Sequence, residues 1–123
     1  MTLTGKVALV TGGTKGIGAA TAIQLAQDGA DVVISGRNSD GDASATLAAI
    51  RALGRRAELI LADLSKPSEA NRLVEETQKQ LGPVDVLVHS AGGPVPGGLF
   101  ELTPEQWHQA FDTHVHAIFY LCR

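Results

Sequence analysis

The sequence predicts an α/β fold, a parallel sheet wound by helices on both faces. Three observations carry this. Four short apolar runs occur in order: Val7-Ala8-Leu9-Val10, Val32-Val33-Ile34, Leu59-Ile60-Leu61 and Val86-Leu87-Val88. None alternates with polar residues, which suits strands buried on both faces. Longer stretches of helical periodicity separate the runs, and each closes on glycine. Strand-helix alternation with right-handed crossovers gives a doubly wound sheet.

The elements follow in chain order. After the first strand, Ile17 to Gln27 has helical composition and ends near Gly29. After the second, Ala43, Leu47 and Ile50 repeat at helical spacing and Gly54 closes the helix. After the third, Leu73, Val74, Thr77 and Leu81 repeat before Gly82-Pro83. Glycine just past a helix and proline beyond it are stop signals. The fourth strand leads into a loop rich in glycine and proline, Gly92 to Gly98. The last helix opens at Thr103-Pro104-Glu105-Gln106, where Thr103 can cap, Pro104 fits the first turn and Gln106 can complete a capping box. Trp107, Phe111, Val115, Ile118 and Cys122 then form one stripe, expected to face inward.

The bulk composition excludes several classes. The chain has 123 residues, 44% hydrophobic and 19% charged, with a net charge of −3. That is one domain's worth of ordinary globular sequence, 1–123. The basic residues are scattered, so no nucleic-acid-binding stripe forms. No apolar run approaches membrane-spanning length. Met1 to Lys6 does not resemble the start of a signal peptide. The single cysteine, Cys122, leaves no internal disulfide framework. A cytoplasmic protein with no membrane or nucleic-acid partner is expected.

The most informative motif is Thr11-Gly12-Gly13-Thr14-Lys15-Gly16-Ile17-Gly18, between the first strand and the first helix. Glycines let the chain turn sharply and bring bare backbone N–H groups against a pyrophosphate. The helix N-terminus adds partial positive charge. At the end of the second strand, Ser35-Gly36-Arg37-Asn38 has glycine where an acid would bind the ribose 2′-hydroxyl of NAD. Arg37 follows, and arginine forks onto phosphate. Lys15 supplies a second cation. NADP (NADPH) is therefore expected over NAD.

Thr-Gly-x-x-x-Gly-Ile-Gly resembles the cofactor fingerprint of the short-chain dehydrogenase/reductase family, and further matches follow along the chain. The resemblance implies a Rossmann-like fold and an NADP-dependent oxidoreductase acting on a carbonyl or hydroxyl carbon. It places the cofactor on Gly12, Thr14, Lys15, Gly16, Ile17, Gly18, Arg37 and Asn38. Asp63-Leu64 is similar to the family's adenine-contacting position, and Ser90-Ala91-Gly92 to the end of its Asn-Asn-Ala-Gly motif. The loop Gly93 to Phe100 gives a slight similarity to 3-oxoacyl-acyl-carrier-protein reductases.

Two positions depart from the pattern. His89-Ser90 stands in place of Asn-Asn. His114 occupies the family's asparagine position in the last helix, which holds a water in the proton relay. By periodicity His114 is expected to point inward as a core histidine. No metal site is expected from His89, His114 and His116.

The family's reaction also implies a serine and a Tyr-x-x-x-Lys pair. The one tyrosine is Tyr120, and no such pair occurs in these 123 residues. No catalytic residue is therefore assigned, and the expected fold is truncated after the fourth strand and the helix that follows. Three readings stay open: an oxidoreductase fragment, a non-catalytic dinucleotide-binding module, or a degenerate remnant. The fourth strand is expected at a sheet edge. Self-association as a homo-oligomer, or pairing with a chain carrying the missing half, is expected with it.

Overall fold

The computed structural model describes residues 2–123, so Met1 lies outside the described residues. The elements in order are β1 (Val7–Thr11), α1 (Gly16–Gln27), β2 (Asp31–Gly36), α2 (Gly41–Ala52), β3 (Ala57–Leu61), α3 (Pro67–Gln80), β4 (Val86–His89), α4 (Pro104–Phe111), a π-helical turn (Asp112–His116) and α5 (Ala117–Cys122). The four strands form one parallel sheet in the order β3-β2-β1-β4. Leu9 of β1 is level with Val33 of β2 on one side and Leu87 of β4 on the other.

Burial follows strand position. Every residue of β1 is buried, as are Val32 to Ser35 of β2. The outer strands are less covered: β4 is half-buried throughout, and Leu61 of β3 is exposed. An outer strand lacks a neighbour on one side, so its apolar run is only partly enclosed. The fourth strand is at the edge, as the family's strand order led one to expect.

Two apolar layers sandwich the sheet. On one face Ala8, Val10, Val32 and Ile34 pack with Ala22 and Ala26 of α1 and Ile50 of α2. On the other, Leu9, Val33 and Ile60 pack with Leu73 of α3 and with Ala117 and Leu121 of α5.

Capping chemistry sets the helix starts. The Asp40 carboxylate accepts the Ala43 N–H to start α2. At α4, Thr103 Oγ1 accepts the Gln106 N–H while the Gln106 side chain accepts the Thr103 N–H. Thr103→Ala is expected to cost about 1 kcal/mol, the usual worth of such a cap. Urea denaturation measures it, and an unchanged midpoint would show that the box is not what holds this helix end.

The last helical region departs from the sequence expectation in two ways. It is interrupted by the π-helical turn, in which the Ala117 N–H reaches back to Asp112 O. The large apolar stripe also faces outward rather than inward. Trp107, Phe111, Val115 and Ile118 are each 39% to 49% exposed, and Cys122 is exposed. The buried positions are Ala117 and Leu121. This segment carries two stripes at helical spacing, one of large side chains and one running through Ala110, Thr113, Ala117 and Leu121. Small residues let the helix backbone approach α3 and the sheet closely. The larger stripe would hold it away, so the smaller one wins the core.

Candidate functional site

The chain reverses its direction of travel across the sheet at β1. From β1 it steps outward to β2 and β3, then crosses back through α3 to β4 on the other side of β1. The loops leaving β1 and β4 therefore diverge, and open α/β sheets form their ligand crevice at such a point.

Thr11 anchors this point. It is fully buried, and its Oγ1 accepts the backbone N–H groups of Ser90 at 3.1 Å and Ala91 at 3.2 Å. Gly12 then lies against the β4 loop. A Cβ there would fall 2.5 Å from the Ser90 carbonyl oxygen, and φ is +63°. Only glycine permits this approach.

A cleft of about 720 Å³ opens above these strand ends. The glycine loop lines it through Gly12, Thr14, Lys15, Ile17 and Gly18. Arg37 and Asn38 line it from the end of β2, and Asp63 and Leu64 from the end of β3. Ser90, Ala91 and Gly92 close the far side. Gly16 is not itself in the wall; it opens α1 at φ +59° with free space where a Cβ would stand. The N-terminus of α1 has no side-chain cap, unlike α2 and α4. Its first N–H groups thus keep their donor capacity. Ile17 is 82% exposed and lines the cleft.

Arg51, Arg55, Arg56 and Arg72 each donate to a backbone carbonyl elsewhere in the fold. Lys15 and Arg37 line the cleft and form no ion pair or side-chain hydrogen bond with another described residue. Their charge is available to an anion.

Asp63 has a structural job beside its place in the wall. Its Oδ1 accepts from both the N–H and the hydroxyl of Ser65, in the turn leading to α3. The Ser65 hydroxyl hydrogen bond is the main reason its carboxyl stays below the ordinary 3.8, with Lys66 and Arg37 adding attraction. The fold thus favours the ionised form. This contribution is complete above pH 3.8 and disappears as the pH falls through the lower folded value. Ser65→Ala is expected to move the Asp63 titration up toward 3.8, as read by carboxyl NMR. An unmoved titration would assign the effect to the Ser65 backbone N–H and the cations instead.

The histidines take separate places. His114 does not enter the core, contrary to the periodicity argument. It is exposed, lines the cleft, and its Nε2 lies 3.2 Å from the Gly93 carbonyl oxygen. The outward rotation of the large stripe carries it there, and the missing side chain of Gly92 makes room for its ring. His89 Nδ1 lies 2.7 Å from Thr11 Oγ1, and its Nε2 2.9 Å from the Thr113 carbonyl oxygen. His116 pairs with Asp112. Among the described residues no His/Cys/Asp/Glu cluster is arranged to hold a metal ion.

Sequence reasoning missed Ser35, Ala62 and Thr113, which also line the cleft. Ser35 and Ala62 lie at strand ends, where burial conceals their role. Ser35 Oγ is buried without a partner among the described residues. A polar residue ending an otherwise apolar strand was the available signal.

A parallel sheet covered on both faces, with a glycine loop and a bare helix N-terminus at its switch point, defines the Rossmann-like class of α/β proteins. The family model for short chain dehydrogenases matches residues 6–123. The chain belongs to the short-chain dehydrogenase family. It is 42% identical to a short chain dehydrogenase from Burkholderia cenocepacia, solved in complex with NADP, with a TM-score of 0.94 over 99% of this chain and 50% of that one. It is 41% identical to a blue fluorescent protein from a metagenomic library, solved in complex with NADPH, with a TM-score of 0.91 over 98% of this chain and 50% of that one. General stress protein 39 of Bacillus subtilis is 38% identical over 98% of this chain and 43% of its own length. The chain thus spans about half the length of these relatives. Among the described residues, no helix is long and apolar enough to cross a membrane.

Proposed function

We propose that residues 1–123 are the cofactor-binding domain, incomplete by itself, of an NADP-dependent oxidoreductase. The observation that carries this reading is the pair of cleft cations, Lys15 and Arg37, beside a Gly36 that offers no acid to a ribose hydroxyl. In this reading Gly12 to Gly18 and the bare start of α1 hold the pyrophosphate. Arg37, Asn38 and Lys15 take the 2′-phosphate. Asp63, Leu64 and the Ser90-Ala91-Gly92 loop enclose the adenosine and ribose portions. The cleft suits such a group on three counts: Gly12 keeps the loops together without a side chain, the first turn of α1 has free donors, and Ser35 Oγ has no other partner.

When bound, the nicotinamide supplies or accepts hydride at a carbonyl or hydroxyl carbon. This chain's part is to hold and orient it. Residues 1–123 hold no Tyr-x-x-x-Lys pair of the kind the family resemblance implies, so this reading assigns them no proton transfer. The exposed face of Trp107, Phe111, Val115 and Ile118 supports burial against a second copy or against chain beyond residue 123. A cytoplasmic location is part of the reading and rests on the lone cysteine.

Calorimetric titration with NADPH and NADH tests the proposal. NADPH is expected to bind at least about tenfold more tightly, since a charge-assisted contact is worth roughly 1.5–3 kcal/mol. Equal affinities would overturn the NADP assignment, and no binding of either would overturn the cofactor site.

A further inference from the structure

Hydrogen-bond arithmetic at the end of β4 fixes the position of one proton. Thr11 Oγ1 accepts two backbone N–H groups, that of Ala91 and that of Ser90, the latter shared with the Thr11 carbonyl oxygen. A hydroxyl has two lone pairs and one hydrogen. With both lone pairs engaged, the hydrogen has one remaining neighbour, His89 Nδ1 at 2.7 Å. The other ring nitrogen, Nε2, faces the Thr113 carbonyl oxygen at 2.9 Å, and a carbonyl can only accept. Nε2 must therefore carry a proton, and Nδ1 must keep its lone pair. An imidazolium would set a further N–H against a hydroxyl that already faces two backbone N–H groups. The Nδ1–H tautomer would also turn the Nε2 lone pair toward the carbonyl. Thr11 is fully buried, so water cannot repair a mismatch at its hydroxyl.

We propose that His89 is a positioning residue of the cofactor site, held as the neutral Nε2–H tautomer, and that it fastens the π-helical turn to the strand ends beneath the cleft. The proposal rests on the function proposed above. The fastening runs in both directions. His89 reaches from β4 to Thr113, inside the turn. His114, the next residue of the turn, reaches back to the carbonyl of Gly93 in the loop after β4. The two contacts hold the turn against residues 89–93. Thr113 and His114, both in the cleft wall, are thereby fixed relative to Ser90, Ala91 and Gly92.

Nitrogen-15 NMR of the histidine-labelled protein at neutral pH tests the proton. His89 is expected to show one protonated nitrogen, Nε2, and one bare nitrogen, Nδ1, the pair disappearing in His89→Gln. An imidazolium or an Nδ1–H tautomer at this residue would overturn the proposal. NADPH titration tests the positioning. His89→Leu removes both contacts and is expected to weaken binding by about tenfold, the usual scale for an unpaired buried polar group. His89→Gln can still donate to Thr113 and accept from Thr11, and is expected to recover most of that loss. A His89→Leu protein binding like wild type, or a Gln variant as weak as Leu, would sink the positioning role. The spectrum requires only the wild-type ring state, so it can overturn the proposal even if His89→Leu does not fold. Wild type that fails to bind NADPH would count against the proposed function, and the ring state would still be read from the spectrum.

Discussion

Arg37→Ala is expected to lower NADPH affinity about 10–100-fold and to leave NADH affinity within about twofold. The estimate takes one charge-assisted, two-pronged contact at roughly 1.5–3 kcal/mol. Arg37 is exposed at the cleft mouth, so screening should trim its contribution at high salt. The same titration at low and high ionic strength checks this, because the NADPH advantage of wild type should narrow as salt rises. Arg37→Lys keeps the charge but not the planar fork, and should recover only part of the affinity. NADH affinity provides the control: an equal loss for both cofactors would mean that the substitution disturbed the cleft instead of removing a phosphate contact.

Gly12→Ala should be strongly damaging, because it adds a steric clash to an unfavourable backbone conformation. The new Cβ would stand 2.5 Å from the Ser90 carbonyl oxygen and 2.7 Å from the Ala91 nitrogen. Both are backbone atoms anchored by Thr11, so neither can swing aside. Overpacking of this kind costs about 1–3 kcal/mol. A non-glycine residue at positive φ adds about 1–2 kcal/mol. The total is a large fraction of the roughly 5–15 kcal/mol that holds a typical domain together. Gly16→Ala is the matched comparison, because its φ is +59° with nothing within 4 Å of the new Cβ. It should carry only the conformational cost. Urea denaturation of both variants measures the difference, and NADPH titration should show binding lost in Gly12→Ala. Equal destabilisation by the two substitutions would remove the close contact with Ser90 from the explanation.

Much of this arrangement was legible in the sequence because it depends on local rules. The apolar runs located all four strands, and the edge position of the fourth followed from the family order. The glycine spacing after Val10 marked the turn that meets the β4 loop. The capping box at Thr103 was also plain. What escaped depended on choices between equivalent local patterns. The last helical segment has two stripes at the same spacing, and hydrophobicity favoured Trp107, Phe111 and Ile118. Packing favoured the stripe through Ala117 and Leu121, because the small Ala117 permits a closer approach. The π-helical turn adds a break that periodicity does not reveal. His114 was misplaced for both reasons. His89 was noted only as a departure from a motif, since its partners Thr11 and Thr113 lie 78 and 24 residues away.

Of the four strands, β1 is synthesised first, and it lies between β2 and β4. Its neighbour β2 follows soon after, but its other neighbour, β4, lies far along the chain; Val7 and Asp85, hydrogen-bonded across that junction, are 78 residues apart. At a synthesis rate of 5–20 residues per second, one side of β1 waits roughly 4–16 s for its partner. Throughout that interval the nascent chain presents an unpaired apolar strand at the ribosome, where a chaperone could engage it. The floor of the cleft closes only when Thr11 meets Ser90 and Ala91, so a nucleotide cannot rescue the chain before β4 has emerged. Substitutions that slow this late pairing should therefore reduce the yield of folded protein in the cell more than they reduce its equilibrium stability.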